Sequence, residues 1–213
     1  MSLKTALSKI QKELKDKDEV REQVQRDMRR ATRLSKQAIL FTHRERFKDA
    51  RKLLDDANKL FVKLSKIAKT HPDMIYTGMV EAAFEEYAES QTLLRLVEEA
   101  RFVSPEELGV PSVAYVLGLG DVIGELRRCA LDMLRKGDVR AAEDCLQMME
   151  KIYVELISMD DAYMLVPGLR RKGDVARHVI EATRGDITLE ARRTSLERSI
   201  KRLEKALKSQ GKS

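Results

Sequence analysis

The chain has 213 residues, and its 41 Lys and Arg against 35 Asp and Glu give a net charge of +6. Aromatics are 5%, Trp is absent, and only 10 Gly and 4 Pro punctuate a sequence otherwise rich in strong helix formers. Two cysteines rule out a disulfide-built scaffold, and no apolar run approaches the roughly 18 residues of a membrane span. The length suits one core. We therefore expect one helical domain over residues 1–213, with 187–213 as a basic C-terminal helical extension, in a soluble cytoplasmic protein without a signal peptide.

The first long helix is predicted over Leu3 to His43, with a break near Lys15–Lys17. Its inner face carries Val20, Val24, Met28, Ala31, Leu34, Ala38, Leu40 and Phe41 at helical spacing. A second helix fits Phe47 to Ile67. Pro72 suits the first turn of a third helix running through Met79, Phe84, Tyr87 and Leu94 to Phe102. Ser104-Pro105-Glu106-Glu107 reads as an N-cap, a first-turn proline and two acids matched to the helix dipole, opening a short helix that Gly109 ends. A fourth long helix spans Ser112 to Arg135, and Lys136-Gly137-Asp138 supplies a C-cap, a turn and an N-cap before the next. That helix carries Ala141, Cys145, Leu146, Met149, Ile152, Val154 and Leu156. After Pro167-Gly168, helical patterning runs from Leu169 to about Leu207, weakened by Gly173 and Gly185-Asp186. No strand pattern appears, so the expected fold is an all-α bundle of about six or seven helices.

Two acid pairs sit at helical spacing. Glu86 and Glu89 are three residues apart, and Asp121 and Glu125 are four apart, so each pair projects from one face of its helix. Asp121 and Glu125 stand among Leu117, Leu119, Val122, Ile123 and Leu126, where an unpaired charge is costly. Three readings follow: a solvated stripe, salt bridges to Arg127, Arg128 or an arginine of another helix, or a shared metal site. Oxygen-only ligation would suit Mg²⁺ or Mn²⁺ and phosphodiester hydrolysis. The simplest reading of Glu86 and Glu89, with Glu81, Glu85, Glu98 and Glu99 nearby, is a solvated acidic face. Cys129 and Cys145 lack CxxC spacing and read as reduced core thiols.

Residues 29–53 hold a basic stripe, with Arg29, Arg30, Arg33, Lys36 and Arg44 beside apolar helix faces and His43 at the helix end. Such a stripe is either a solvated face or a track for a phosphate backbone, positioning a nucleic acid without reading its bases. A second basic stretch, Arg192 to Lys208, has Leu189, Leu196, Ile200, Leu203 and Leu207 behind it. Its charge is too mixed to favour a membrane surface. Scattered tyrosines make no base-stacking platform, and no phosphate-binding glycine loop calls for a nucleotide.

EEYAES at 85–90, followed by YVLGLGDVIGELRR at 115–128, resembles the translin family and specifically its translin-associated factor X branch. The second match includes Tyr115, Gly118, Asp121, Gly124, Glu125 and Leu126. Phe41, His43, Arg44, RKGD at 135–138 and LRRKGDVARHVIEATRGD at 169–186 agree in order. The resemblance implies a translin-like helical bundle and a metal-dependent endoribonuclease acting on single-stranded RNA. Glu86, Glu89, Asp121 and Glu125 would be its catalytic and Mg²⁺- or Mn²⁺-binding residues. Arg29, Arg30, Arg33, Lys36, His43 and Arg44 would meet single-stranded RNA or DNA. It also implies an archaeal, self-assembling chain that forms an enclosed homo-oligomeric shell. The other function to weigh is a non-catalytic, single-stranded RNA- or DNA-binding oligomer similar to translin, in which the acids are structural.

Overall fold

The computed structural model describes residues 2–74, 77–159, 161 and 163–210. They form seven α-helices and one 3-10 turn, with no strand among the described residues, so the all-α expectation holds. The chain divides into two compact units, Met1–Leu119 and Gly120–Ser213, and the fifth helix runs from one into the other.

In the first unit, α1 (Leu3–His43) packs on α2 (Phe47–Ile67) and α3 (Gly78–Glu99). The break expected at Lys15–Lys17 is absent. That stretch contains no Gly or Pro, and the neighbouring Asp18 pairs with Arg21 at 2.7 Å, so its charged helix formers continue the helix in solvent. Val24, Met28, Ala31 and Ala38 of α1 meet Leu54, Ala57, Phe61 and Leu64 of α2 and Val80, Ala83 and Tyr87 of α3 in one buried cluster. Phe61 anchors it, stacking on Phe84 with centroids 4.4 Å apart and tilting against Tyr87 at 5.0 Å. Leu40, expected on the inner face, is partly exposed instead.

The third helix starts later than the proline suggests. Pro72–Met74 forms a separate 3-10 turn, Ile75 and Tyr76 lie outside the described residues, and α3 opens at Gly78, where the Thr77 hydroxyl accepts from Val80 N–H. It ends at Glu99, before the expected Phe102, because Ala100 takes a left-handed conformation with φ of 50°. Ser104 caps α4 (Pro105–Leu108), Gly109 closes it at φ 65°, and both Nη atoms of Arg101 bond the Glu107 carboxylate at 2.9 Å.

The α5 helix covers Ser112–Arg135, as the pattern predicts. Gly137 turns the chain at φ 80°, and the Asp138 carboxylate then accepts from Ala141 N–H at 3.0 Å to start α6 (Val139–Ile157). In the second unit α6 lies on α7 (Leu169–Gln210), with Ala142, Leu146, Met149, Ile152 and Leu156 buried on one side and Leu169, Ala176, Ile180 and Ile187 on the other. Val154 points outward. Gly173 and Gly185 do not break α7. Each glycine costs about 1 kcal/mol relative to Ala, and the buried residues around them, with Arg184 held by Glu150 at 2.5 Å, keep the helix continuous.

Beyond Ile187 the helix projects. Leu189, Leu196, Ile200, Leu203 and Leu207 are 48% to 70% exposed, so the apolar row behind the basic residues has no cover among the described residues. No helix of the described residues is long and apolar enough to cross a membrane.

Candidate functional site

Glu86 and Glu89 lie on α3, and the structure corrects their reading as a solvated acidic face. Glu89 is 8% exposed, within the continuously buried run Tyr87, Ala88, Glu89, Ser90. Burial therefore extends around several sides of this turn, while Glu85 and Glu86 before it stay half-buried. Glu86 is half-buried, and its Oε2 stands 3.5 Å from Lys36 Nζ of α1. Of the acids grouped with them, Glu81 and Glu99 are the exposed ones.

One side of this turn is closed by Gly118 of α5. A Cβ at position 118 would sit 2.8 Å from Glu85 O, 3.0 Å from Glu89 N and 3.1 Å from Ala88 Cβ. Two of these are backbone atoms, so the absence of a side chain at 118 lets the helix backbones approach this closely. Nearby, the Tyr115 hydroxyl donates to Val103 O and fixes the start of α5 against the loop before α4.

Asp121 and Glu125 follow on α5, in the second unit, one turn apart on the same face. The expected arginine partners hold only in part. Lys172 of α7, rather than an arginine, donates from Nζ to Asp121 Oδ1 at 2.5 Å. Arg128 stands 3.9 Å from Glu125 Oε2. Arg127 turns away to Asp186 Oδ2 at 3.0 Å and to the buried Thr183 hydroxyl at 2.8 Å. Lys172 escaped the sequence reading. The usable signal was Gly120, a glycine inside an apolar helix that leaves room for the lysine stem.

Among the described residues, no three His, Cys, Asp or Glu side chains converge as a ready-made metal cage. The donor chemistry of the acids is nevertheless uniform. Burial pushes the Cys129 thiol up to about 12, with Cys145, Glu125 and Asp132 adding to it, and burial pushes Cys145 up to about 11. Neither sulfur offers a thiolate near neutral pH, as expected of core thiols. The remaining carboxylate oxygens fit a hard cation such as Mg²⁺ or Mn²⁺ and not a thiolate-seeking one.

Arg29, Arg33, Lys36 and His43 recur along one face of α1, with Arg30 and Arg44 beside them. The arginines and Lys36 are exposed, while His43 is half-buried. The opposite face carries the buried Met28, Ala31, Ser35, Ala38 and Thr42. The basic face therefore leads to Glu86 through Lys36.

The Translin family model matches residues 19–207. The chain belongs to the translin family. A member similar to it is the uncharacterised protein MJ0175 of Methanocaldococcus jannaschii, 31% identical over 192 residues, which cover 90% of this chain and 85% of that protein. Among solved structures, AfC3PO matches with a TM-score of 0.79 and 32% identity over 87% of this chain and 97% of that one. The complex of AfC3PO with duplex RNA gives 0.78 at 32% identity, over 87% of this chain and 96% of that one. Apo-NeC3PO gives 0.77 at 27% identity, over 86% of this chain and 96% of that one. The translin-family match takes in both acid pairs and the whole basic face of α1, and leaves out residues 1–18 and 208–213.

Proposed function

We propose that the protein is a Mg²⁺- or Mn²⁺-dependent endoribonuclease of the translin-associated factor X type that binds and cleaves single-stranded RNA. Glu86, Glu89, Asp121 and Glu125 are its catalytic and metal-binding acids. The observation that carries this reading is the meeting, on α3 residues 85–89, of two features of independent origin. The basic face of α1 reaches Glu86 through Lys36. On the same turn, Gly118 of the Gly-x-x-Asp-x-x-Gly-Glu segment lies against Glu85, Ala88 and Glu89.

The residues divide the work. Arg29, Arg30, Arg33, Lys36, His43 and Arg44 capture the phosphate backbone without reading bases, and Lys36 leads it to the acids. Asp121 and Glu125 stand three and seven residues past Gly118, on the helix face that Gly118 shares. The four carboxylates would hold the cation and, with it, orient a water for in-line attack on phosphorus. Water adds across one P–O bond, leaving a phosphate on one RNA end and a hydroxyl on the other. When bound, the divalent cation lowers the pKa of water and offsets charge on the phosphoryl oxygens. Glu89, held in a buried turn, keeps its place without a search through rotamers, as a preorganised ligand requires.

Assembly into a homo-oligomeric shell belongs to the same proposal. The AfC3PO complex with duplex RNA supports RNA as the partner and makes duplex RNA the second substrate form to test. The test is cleavage of an end-labelled single-stranded RNA with Mg²⁺, Mn²⁺ or chelator, by the protein and by Glu125→Ala. Metal-dependent cutting that the variant loses while still binding RNA supports the reading. RNA binding without cutting under any metal condition overturns it in favour of a translin-like binding oligomer.

A further inference from the structure

Lys172 has no role in the reaction as described so far, yet its placement differs from that of an ordinary surface ion pair. Its side chain is 15% exposed, against 38% for the Asp121 it holds. The aliphatic stem lies across Gly120, where a Cβ would come 2.9 Å from Lys172 Cδ and 3.2 Å from its Cβ. A lysine normally keeps its ammonium in water and loses rotamer freedom when fixed. Here both the stem and the tip are fixed.

The position is also unfavourable for α7. Leu169-Arg170-Arg171-Lys172 opens that helix with no acid in the first turn, so three cations stand at the positive end of its dipole. A sequence chosen for helix stability alone would place acids there. The arrangement is better accounted for by what Lys172 does to Asp121.

We infer that Lys172 is a positioning residue for RNA cleavage: it holds Asp121 Oδ1 and keeps one positive charge fixed beside that acid. This rests on the endoribonuclease reading above. Lys172 reduces repulsion among the carboxylates before a cation arrives, and it orients Asp121 for the reaction. The same positive charge opposes the incoming cation, so the arrangement gives up metal affinity for orientation.

That opposition sets the test. In Lys172→Met, Mn²⁺ titrated into the full-length protein should bind about 3- to 10-fold more tightly, because a like charge next to the ion is gone. In the same variant kcat for RNA cleavage should fall about 10-fold or more while KM stays within about 2-fold, since RNA capture belongs to α1. Lys172→Arg should restore Mn²⁺ affinity to the original level and recover part of kcat. Gly120→Ala, which pushes the stem aside, should reproduce the Lys172→Met pattern with Lys172 still present. A merely structural lysine would lower stability and move metal affinity and kcat in the same direction, and that result overturns the inference. So does an unchanged kcat in Lys172→Met. If the unmodified protein neither binds Mn²⁺ nor cuts RNA, the endoribonuclease reading falls first and this inference with it. If it does both and Lys172→Met behaves identically, only the role of Lys172 is lost.

Discussion

Two glycines of α5 make a paired experiment on how this helix is seated. At Gly118 an added methyl meets Glu85 O at 2.8 Å, Glu89 N at 3.0 Å and Ala88 Cβ at 3.1 Å. None of these atoms is the end of a flexible side chain, so the helices must move apart. Overpacking of this kind costs about 1–3 kcal/mol, and rigid backbone neighbours put Gly118→Ala in the upper half of that range. Replacing a helical glycine returns about 1 kcal/mol of propensity. The net expectation for Gly118→Ala is a loss of about 1–2 kcal/mol. At Gly124 nothing lies within 4 Å of the added Cβ, so only the gain remains. The two variants should thus differ by about 2–3 kcal/mol, or roughly 5–10 °C in Tm for a chain of this size. Thermal and urea unfolding at one fixed protein concentration would measure this. Equal shifts of the same sign in both variants would refute the close approach of α5 to residues 85–89.

The remaining predictions concern the charged face, an acid-sensitive pair and the thiols. Replacing Arg29, Arg33 and Lys36 together with Ala should weaken binding of single-stranded RNA and flatten its salt dependence by about 2 in slope, roughly 0.7 per lost phosphate contact. An unchanged slope in a salt titration would remove α1 from the interface. For Asp27, burial alone would raise the pKa, but hydrogen bonds from Lys63 and Gln23 and the charges of Lys63 and Arg26 outweigh it and hold the carboxyl below 3.8. Its contribution to stability is present above the unfolded value and is lost as pH falls through the depressed folded one. Asp27→Asn should therefore make urea stability less steep below about pH 4, and an equally steep acid limb would contradict this. Cys129 and Cys145, pushed up to about 12 and about 11 by burial, should resist a thiol reagent at pH 8 until the protein is unfolded. Rapid labelling of the native protein would show that the thiols are not held as described.

Most helix positions were legible because patterning and caps agree. Phe47–Ile67 and Ser112–Arg135 follow from apolar spacing, and Gly137-Asp138 announces both the end of one helix and the start of the next. Pro72 misled because a proline suits the first turn of an α-helix and of a 3-10 turn alike. The buried state of Glu89 was hidden because an acid in a row of acids looks solvated. The α3 helix is enclosed on several sides at Tyr87–Ser90, and periodicity finds one buried face more readily than a buried circumference. Lys172 was hidden by its distance along the chain from Asp121, with only Gly120 marking the space it fills. The grouping of the four acids rests on the resemblance of two short motifs. Spacing alone left it open to salt bridges, and Glu86, Asp121 and Glu125 do stand beside a base, Lys36, Lys172 or Arg128.

The central claim is that Glu86, Glu89, Asp121 and Glu125 serve one metal site. Fe²⁺ loaded in place of Mg²⁺ and treated with ascorbate and peroxide cuts a polypeptide only next to the bound ion, and mass spectrometry of the fragments locates the cuts. The account predicts two cut regions, one around residues 86–89 and one around 121–125, both suppressed by excess Mg²⁺ and both lost in Glu125→Ala. Cutting at one region alone, or at neither, would contradict it.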